Sequence, residues 1–151
     1  MKTPATKSTL RLERIWETSL YAADLDRAES FYKTVLGLDS FAKETNRHVF
    51  FKCSGQMLLI FNPDKTIEES DAAPHGAHGP GHVAFALPMS ELDTWKSHLQ
   101  TMNIEIEKDV SWPNGGRSIY FRDPAGNCLE LASPLIWGMA ESDVNSSHPL
   151  P

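Results

Sequence analysis

Three side chains with metal-ligating chemistry, Glu17, His82 and Glu130, each fall inside a short strand-like run. Alternation along a strand sorts side chains between two faces, and in every case it turns the ligand away from the bulkier apolar face. In the first run Trp16, Thr18 and Leu20 share one face, and Ile15, Glu17, Ser19 and Tyr21 the other. In HVAFAL, Val83, Phe85 and Leu87 oppose His82, Ala84 and Ala86; in CLELA, Leu129 and Leu131 oppose Cys128, Glu130 and Ala132. One imidazole and two carboxylates partly neutralise a divalent cation without saturating it, a set suited to a single Fe, Mn, Zn, Ni or Co ion. The small residues Ser19, Ala84, Ala86 and Ala132 leave room beside it.

Plainer readings stand beside this one. A lone strand histidine is usually structural, and Glu17 has Arg117 and Arg122 as alternative partners. Glu130, flanked by Leu129 and Leu131, faces inward, where an unpaired carboxylate is costly and a metal is the simplest partner.

The same alternation supplies the rest of a pocket. His48, Phe50 and Lys52 share the inner face of the first half with an apolar wall of Met57, Leu59 and Phe61; Ser118, Tyr120 and Arg122 line the second half. An apolar wall, a few polar groups and a metal are the usual composition of a small-molecule site. The expected substrate-binding residues are therefore His48, Phe50, Met57, Leu59, Trp112, Arg117 and Arg122, with Trp112 and Arg117 at the rim in the WPNGGRS turn. Tyr120 is the expected acid or hydrogen-bond donor, and Glu17 or Glu130 the proton shuttle. His75 and His78, in PHGAHGPGH, belong either to a mobile lid or to a solvent-exposed linker.

The elements that must hold these residues repeat. A strand from Arg14 to Tyr21 leads to a helix that Asp24 caps and Gly37 ends. Strands follow at about Leu38–Lys43, Arg47–Cys53 and Gln56–Phe61. After a Pro/Gly-rich stretch, His82–Leu87 reads as a strand and Ser90 opens a helix carrying Leu92, Trp95, Leu99 and Met102. Runs at Ile104–Val110, Arg117–Arg122 and Asn127–Ala132 complete the second unit. Glu17 aligns with His82, Phe51 with Phe121 and Gly55 with Gly126, an internal repeat. The expected organisation is an extension over 1–13, a βαβββ module over 14–61, a linker or lid over 62–80, a second module over 81–137 and a flexible tail over 138–151. The class is α+β, two βαβββ modules in tandem forming a cup-shaped, barrel-like mixed sheet with helices outside.

LYAADLDRAESFYKTVLGL, HVFFKCSGQMLLIF, GHVAFAL and SIYFRDPAGNCLEL together resemble the vicinal oxygen chelate superfamily of glyoxalases, bleomycin-resistance proteins and extradiol dioxygenases, over roughly residues 14–137. That resemblance implies a metal in the cup at Glu17, His82 and Glu130. It implies a substrate whose adjacent oxygens chelate the ion, and a homodimer. Glu17 stands where extradiol dioxygenases and fosfomycin-resistance enzymes of the superfamily carry histidine, and glyoxalase I histidine or glutamine. Leu59 stands where glyoxalase I carries a fourth, acidic ligand, which points away from a true lactoylglutathione lyase. The resemblance favours a lyase or isomerase of glyoxalase type, ahead of a ring-cleaving dioxygenase and of a metal-free binding protein of the bleomycin-resistance kind.

Composition excludes other classes. The chain of 151 residues carries 14 basic and 20 acidic residues, a net charge of −6, with the basic residues dispersed; nucleic acid is not an expected partner. No run approaches the roughly 18 apolar residues of a membrane span, and the N-terminus lacks an apolar core, so a cytoplasmic protein without membrane contact is expected. Cys53 and Cys128 lack metal or disulfide spacing and read as reduced packing residues.

Overall fold

A computed structural model describes residues 10–144. The first module consists of β1 (Glu17–Tyr21), α1 (Leu25–Thr34), β2 (Asp39–Glu44), β3 (His48–Cys53) and β4 (Gln56–Phe61). A one-turn helix, α2 (Pro63–Thr66), lies in the linker. The second module repeats the order with β5 (His82–Ala86), α3 (Leu92–Thr101), β6 (Lys108–Ser111), β7 (Arg117–Arg122) and β8 (Cys128–Ala132), and a short α4 (Glu141–Val144) follows.

Each module builds its own four-stranded mixed sheet, in the orders β1-β4-β3-β2 and β5-β8-β7-β6. The first strand runs parallel to the last, and the remaining neighbours are antiparallel. The α+β class and the repeat are as expected. The barrel-like closure is not made: among the described residues no strand pair joins the two sheets.

Local chemistry accounts for the boundaries. The Asp24 carboxylate accepts from the Arg27 backbone N–H at 3.0 Å and so caps α1. Gly37, at φ 67°, takes the left-handed turn that ends the helix, donating to the Lys33 carbonyl. The second helix departs from expectation. Ser90 lies in a 3-10 turn over Met89–Glu91, no side chain caps α3, and the Met89 N–H is met by Glu141. Strand β6 is shorter than the expected Ile104–Val110, because Ile104 and Ile106 pack against the core and ladder pairing begins only at Lys108.

One core serves both modules, with Leu20, Val49, Phe51, Leu58 and Ile60 of the first sheet and Ile119, Phe121, Leu129 and Leu131 of the second packed around the helices. A polar node ties the halves inside it. The Tyr32 hydroxyl donates to Asp123 Oδ2 at 2.8 Å across 91 residues, and Asn127 Nδ2 donates to the Tyr21 carbonyl at 3.0 Å. Asn127 Oδ1 accepts from the Gly81 N–H at 2.8 Å. With both helix-covered faces committed to this core, the inner faces of the sheets are the ones left for a ligand. Glu17, Ser19, His82, Ala84 and Ala86 are all exposed there.

Candidate metal and substrate site

Strands β5 and β8 pair with His82 opposite Cys128 and Ala84 opposite Glu130, which sets His82 and Glu130 on one diagonal of the inner face. The two side chains meet: His82 Nε2 lies 3.2 Å from Glu130 Oε2. His82 Nδ1 lies 2.9 Å from the Cys128 carbonyl oxygen. A carbonyl only accepts, so Nδ1 carries a proton and leaves Nε2 to face the carboxylate. Two acceptors facing each other require a cation between them, either a proton or a metal ion.

The spacing suits a metal. Two ligand atoms at about 2.1 Å from one ion, 90–109° apart, are separated by roughly 3.0–3.4 Å. The observed 3.2 Å falls inside that interval. The carboxylate side chain is 7% exposed and the imidazole 51%, so one ligand is anchored in the sheet and the other faces the opening.

Glu17 is not part of this group. Among the described residues no three His, Cys, Asp or Glu side chains converge as a metal site, and the expected set of three reduces within one chain to a pair. The reason is topological, since Glu17 belongs to the first sheet, opposite Met57, while the pair lies in the second. β1 approaches β5 where a Cβ on Gly81 would sit 2.8 Å from Leu20, and Glu17 is three residues, about 10 Å, back along the strand. Nor, among the described residues, does it salt-bridge an arginine: Arg117 is held by Asp109 and Asp93, and Arg122 by Glu107.

Tyr120 stands on β7 directly opposite Glu130, its ring 6.4 Å from that of His82 and inclined by 25°. Burial is the largest influence on its hydroxyl and pushes the phenol pKa up; the nearby Ser118 hydroxyl opposes this, and the Glu130 charge adds to the rise. Trp112 Nε1 donates to Ser118 Oγ at 2.9 Å, and Tyr120 stands between that pair and Glu130 on the same inner face.

The remaining expected residues divide. His48 stacks on Phe50 at 4.0 Å and 10°, and both pack edge-on against Phe61. Burial holds the His48 imidazole below its ordinary pKa. Met57 and Leu59 share that inner face, with Leu59 opposite Phe50 and Ser19. Arg117 is misplaced by the rim reading: alternation from Ser118 turns it to the helix side, bonded to Asp109 and to Asp93 of α3. Arg122 is on the inner face but bound to Glu107 and the Gly126 carbonyl. The linker is tethered rather than open, with Tyr21 Oη 2.9 Å from His75 Nδ1 and His78 paired with Asp64 at 3.0 Å.

Sequence reasoning missed two supports. The Cys128 carbonyl sets the His82 tautomer, and Asn127 grips Gly81, the residue before His82. The DPAGN turn signals the second, whereas the first follows only from strand register.

The architecture is a duplicated βαβββ unit with His82 and Glu130 in contact on the inner face of its second sheet. The chain belongs to the Glyoxalase/Bleomycin resistance protein/Dioxygenase superfamily, whose profile matches residues 14–131. It is 30% identical over 116 residues to metallothiol transferase FosB of Bacillus licheniformis, covering 76% of this chain and 71% of that protein. It is 25% identical over 124 residues to fosfomycin resistance protein FosX of Listeria innocua, covering 82% and 84%. Among solved structures, lactoylglutathione lyase from Agrobacterium tumefaciens superimposes with a TM-score of 0.83 at 42% identity, covering 85% of this chain and 98% of that one. Among the described residues no helix is long and apolar enough to cross a membrane.

Proposed function

We propose that this protein is a metal-dependent lyase or isomerase of glyoxalase type, acting on a small metabolite that binds one divalent metal ion through adjacent oxygens. The observation that carries the reading is the 3.2 Å approach of His82 Nε2 to Glu130 Oε2, with Nδ1 already tied to the Cys128 carbonyl. The 42% identity to a lactoylglutathione lyase supports the reaction class. Leu59, a buried apolar residue on the inner face of the first sheet, favours three protein ligands rather than four. His82 and Glu130 would hold the metal from one chain, and Glu17 of a second copy would supply the third ligand in a homodimer, since among the described residues no third His, Cys, Asp or Glu joins the pair within one chain.

When bound, the metal supplies Lewis-acid stabilisation of negative charge on the substrate. The chain's own groups handle the proton. Tyr120 Oη, kept protonated by burial, donates toward the substrate or Glu130, and the Glu130 carboxylate accepts a proton when it loosens from its partner. The second copy that would bring Glu17 would also bring the apolar wall of Phe50, Met57 and Leu59 on the same face, excluding water from one side.

Element analysis of untagged protein, with His82→Ala and Glu130→Ala alongside, tests the reading. The expected result is near one equivalent of metal per chain in the wild type and its loss in both variants. Less than about 0.1 equivalent, unaltered by either substitution, overturns it.

A further inference from the structure

Beside the His82–Glu130 pair, a cleft of about 420 Å³ at the end of β1 and a groove of about 400 Å³ between α1 and α3 both lie off the inner faces. A third cavity does not. It holds about 370 Å³ and is lined by Glu107, Lys108, Val110, Trp112, Tyr120 and Cys128. Val110 and Lys108 pair with Ser118 and Tyr120, so the cavity opens on the same inner face as Glu130.

We infer that this cleft binds a flat, apolar body of the substrate, held against the Trp112 and Tyr120 rings while the substrate's adjacent oxygens reach the His82–Glu130 pair. The inference rests on the metal-site reading above and adds a class of substrate to it.

Three features carry it. First, the walls are preorganised. Trp112 is 40% exposed, yet its indole N–H is fixed on Ser118 Oγ, and Ser118 is itself fully buried. The ring is thus a platform whose orientation is set before a ligand arrives, and an aromatic face held open to solvent gains most from a flat partner. Second, the cleft adjoins the ligand pair. Tyr120 forms a wall of the cleft and stands directly opposite Glu130 on the neighbouring strand, its ring 6.4 Å from that of His82. Third, the charges in the cleft do not call for an anion. Glu107 of its lining is spent on Arg122, which leaves Lys108 as a single cation there, and Arg117 lies on the other side of the sheet. Across the inner face of the first sheet, Lys52 lies over the Phe41 ring at 4.4 Å. A small doubly charged anion has no cluster of free cations to meet here, whereas an uncharged planar group has two rings and Val110.

The test uses two chelators that present the same pair of adjacent oxygens and differ only in their tail. Full-length protein is loaded with cobalt(II), and acetohydroxamate and benzohydroxamate are titrated by calorimetry and by the change in the cobalt visible spectrum. The expected result is that benzohydroxamate binds at least about tenfold tighter, through burial of its ring. Trp112→Ala should remove most of that ratio while leaving the acetohydroxamate Kd within about twofold, and Trp112→Phe, which keeps a ring but not the Ser118 bond, should retain part of it. Circular dichroism of both variants checks that the hairpin has folded; if Trp112→Ala is unfolded, Val110→Arg, which fills the cleft from its other wall, takes its place with the same expected loss. Equal affinities for the two chelators, or a ratio unchanged by these substitutions, overturn the cleft while leaving the metal site standing. Failure of both chelators to bind or to alter the cobalt spectrum overturns the metal site, and the cleft with it.

Discussion

Replacing Tyr32 with Phe removes one hydroxyl from the only side-chain hydrogen bond described between α1 and the β7–β8 turn, and almost no volume. Tyr32 is fully buried and Asp123 is 4% exposed, so the bond is a buried, charge-assisted one, a type worth about 1.5–3 kcal/mol. Asp123 is not stranded by the change. Its Oδ1 still accepts from the Ala125 and Asn127 backbone N–H groups, and its Oδ2 from Asn127 Nδ2. The expected loss therefore lies near 2 kcal/mol rather than at the 3–5 kcal/mol left by an unpaired buried charge. For a chain of this length that is a fall in Tm of roughly 4–8 °C. Urea unfolding followed by circular dichroism should show a lower midpoint, an unchanged m-value and one transition, since the halves still share their apolar core. In the Asp123→Asn background the same substitution should cost at least about 1 kcal/mol less, a direct measure of the pair. A loss under about 0.5 kcal/mol, or two separate transitions, refutes the account of this node as a clasp within one cooperative core.

Asp109, held well below the usual carboxylate range chiefly by Arg117 and then by Lys96, contributes stability that is present above its unfolded pKa of about 3.9 and lost as pH falls through the depressed folded value. Asp109→Asn should thus cost roughly 1 kcal/mol at pH 7, allowing for partial exposure, and should flatten the stability profile below about pH 4; unfolding curves from pH 2 to 7 check it. Leu59→Glu places a carboxylate at a site 6% exposed, and should destabilise the metal-free protein by about 2 kcal/mol or more while tightening metal binding, read as a larger metal-induced rise in Tm. Gly116→Ala should cost about 2 kcal/mol or more by thermal melts, because a Cβ there would lie 2.6 Å from the Ile136 backbone nitrogen, which cannot yield as a side chain can.

Much of the fold was legible because the repeat writes each signal twice. The helix at Asp24, the strands around Val49, Ile60, Ile119 and Leu129, and the facing of every inner residue from Glu17 to Ala132 follow from period and alternation. What failed did so where a non-local contact decides. Ile104 and Ile106 carry strand composition, yet their burial against the core, not a ladder, fixes them. Ser90 has the chemistry of a cap, but a 3-10 turn occupies its place. Gly55 and Gly126 align in the repeat, yet Ser54 rather than Gly55 takes the positive φ of the β3–β4 hairpin, so equivalent glycines are not equivalent turns. Arg117 reads as a rim cation until the sheet shows which side of Ser118 it occupies.

Alternation fixes the face of a side chain but says nothing of which sheet will confront that face, and Glu17 illustrates the difference. Within each module the first and last strands are parallel neighbours, so a ligand on one can reach a ligand on the other through register alone. The second module has His82 and Glu130 in those two positions and brings them to 3.2 Å. The first has Glu17 and Leu59, one donor and one hydrocarbon, and cannot chelate by itself. Under the proposed function the asymmetry gives the modules different tasks: one would supply a two-point grip, the other a single carboxylate and an apolar wall. A third ligand then has to cross from the face of a first module to the face of a second. Both helix-bearing sides are already buried together in one core, so the proposed function requires that crossing to be made between chains, and metal affinity is then expected to fall with protein dilution.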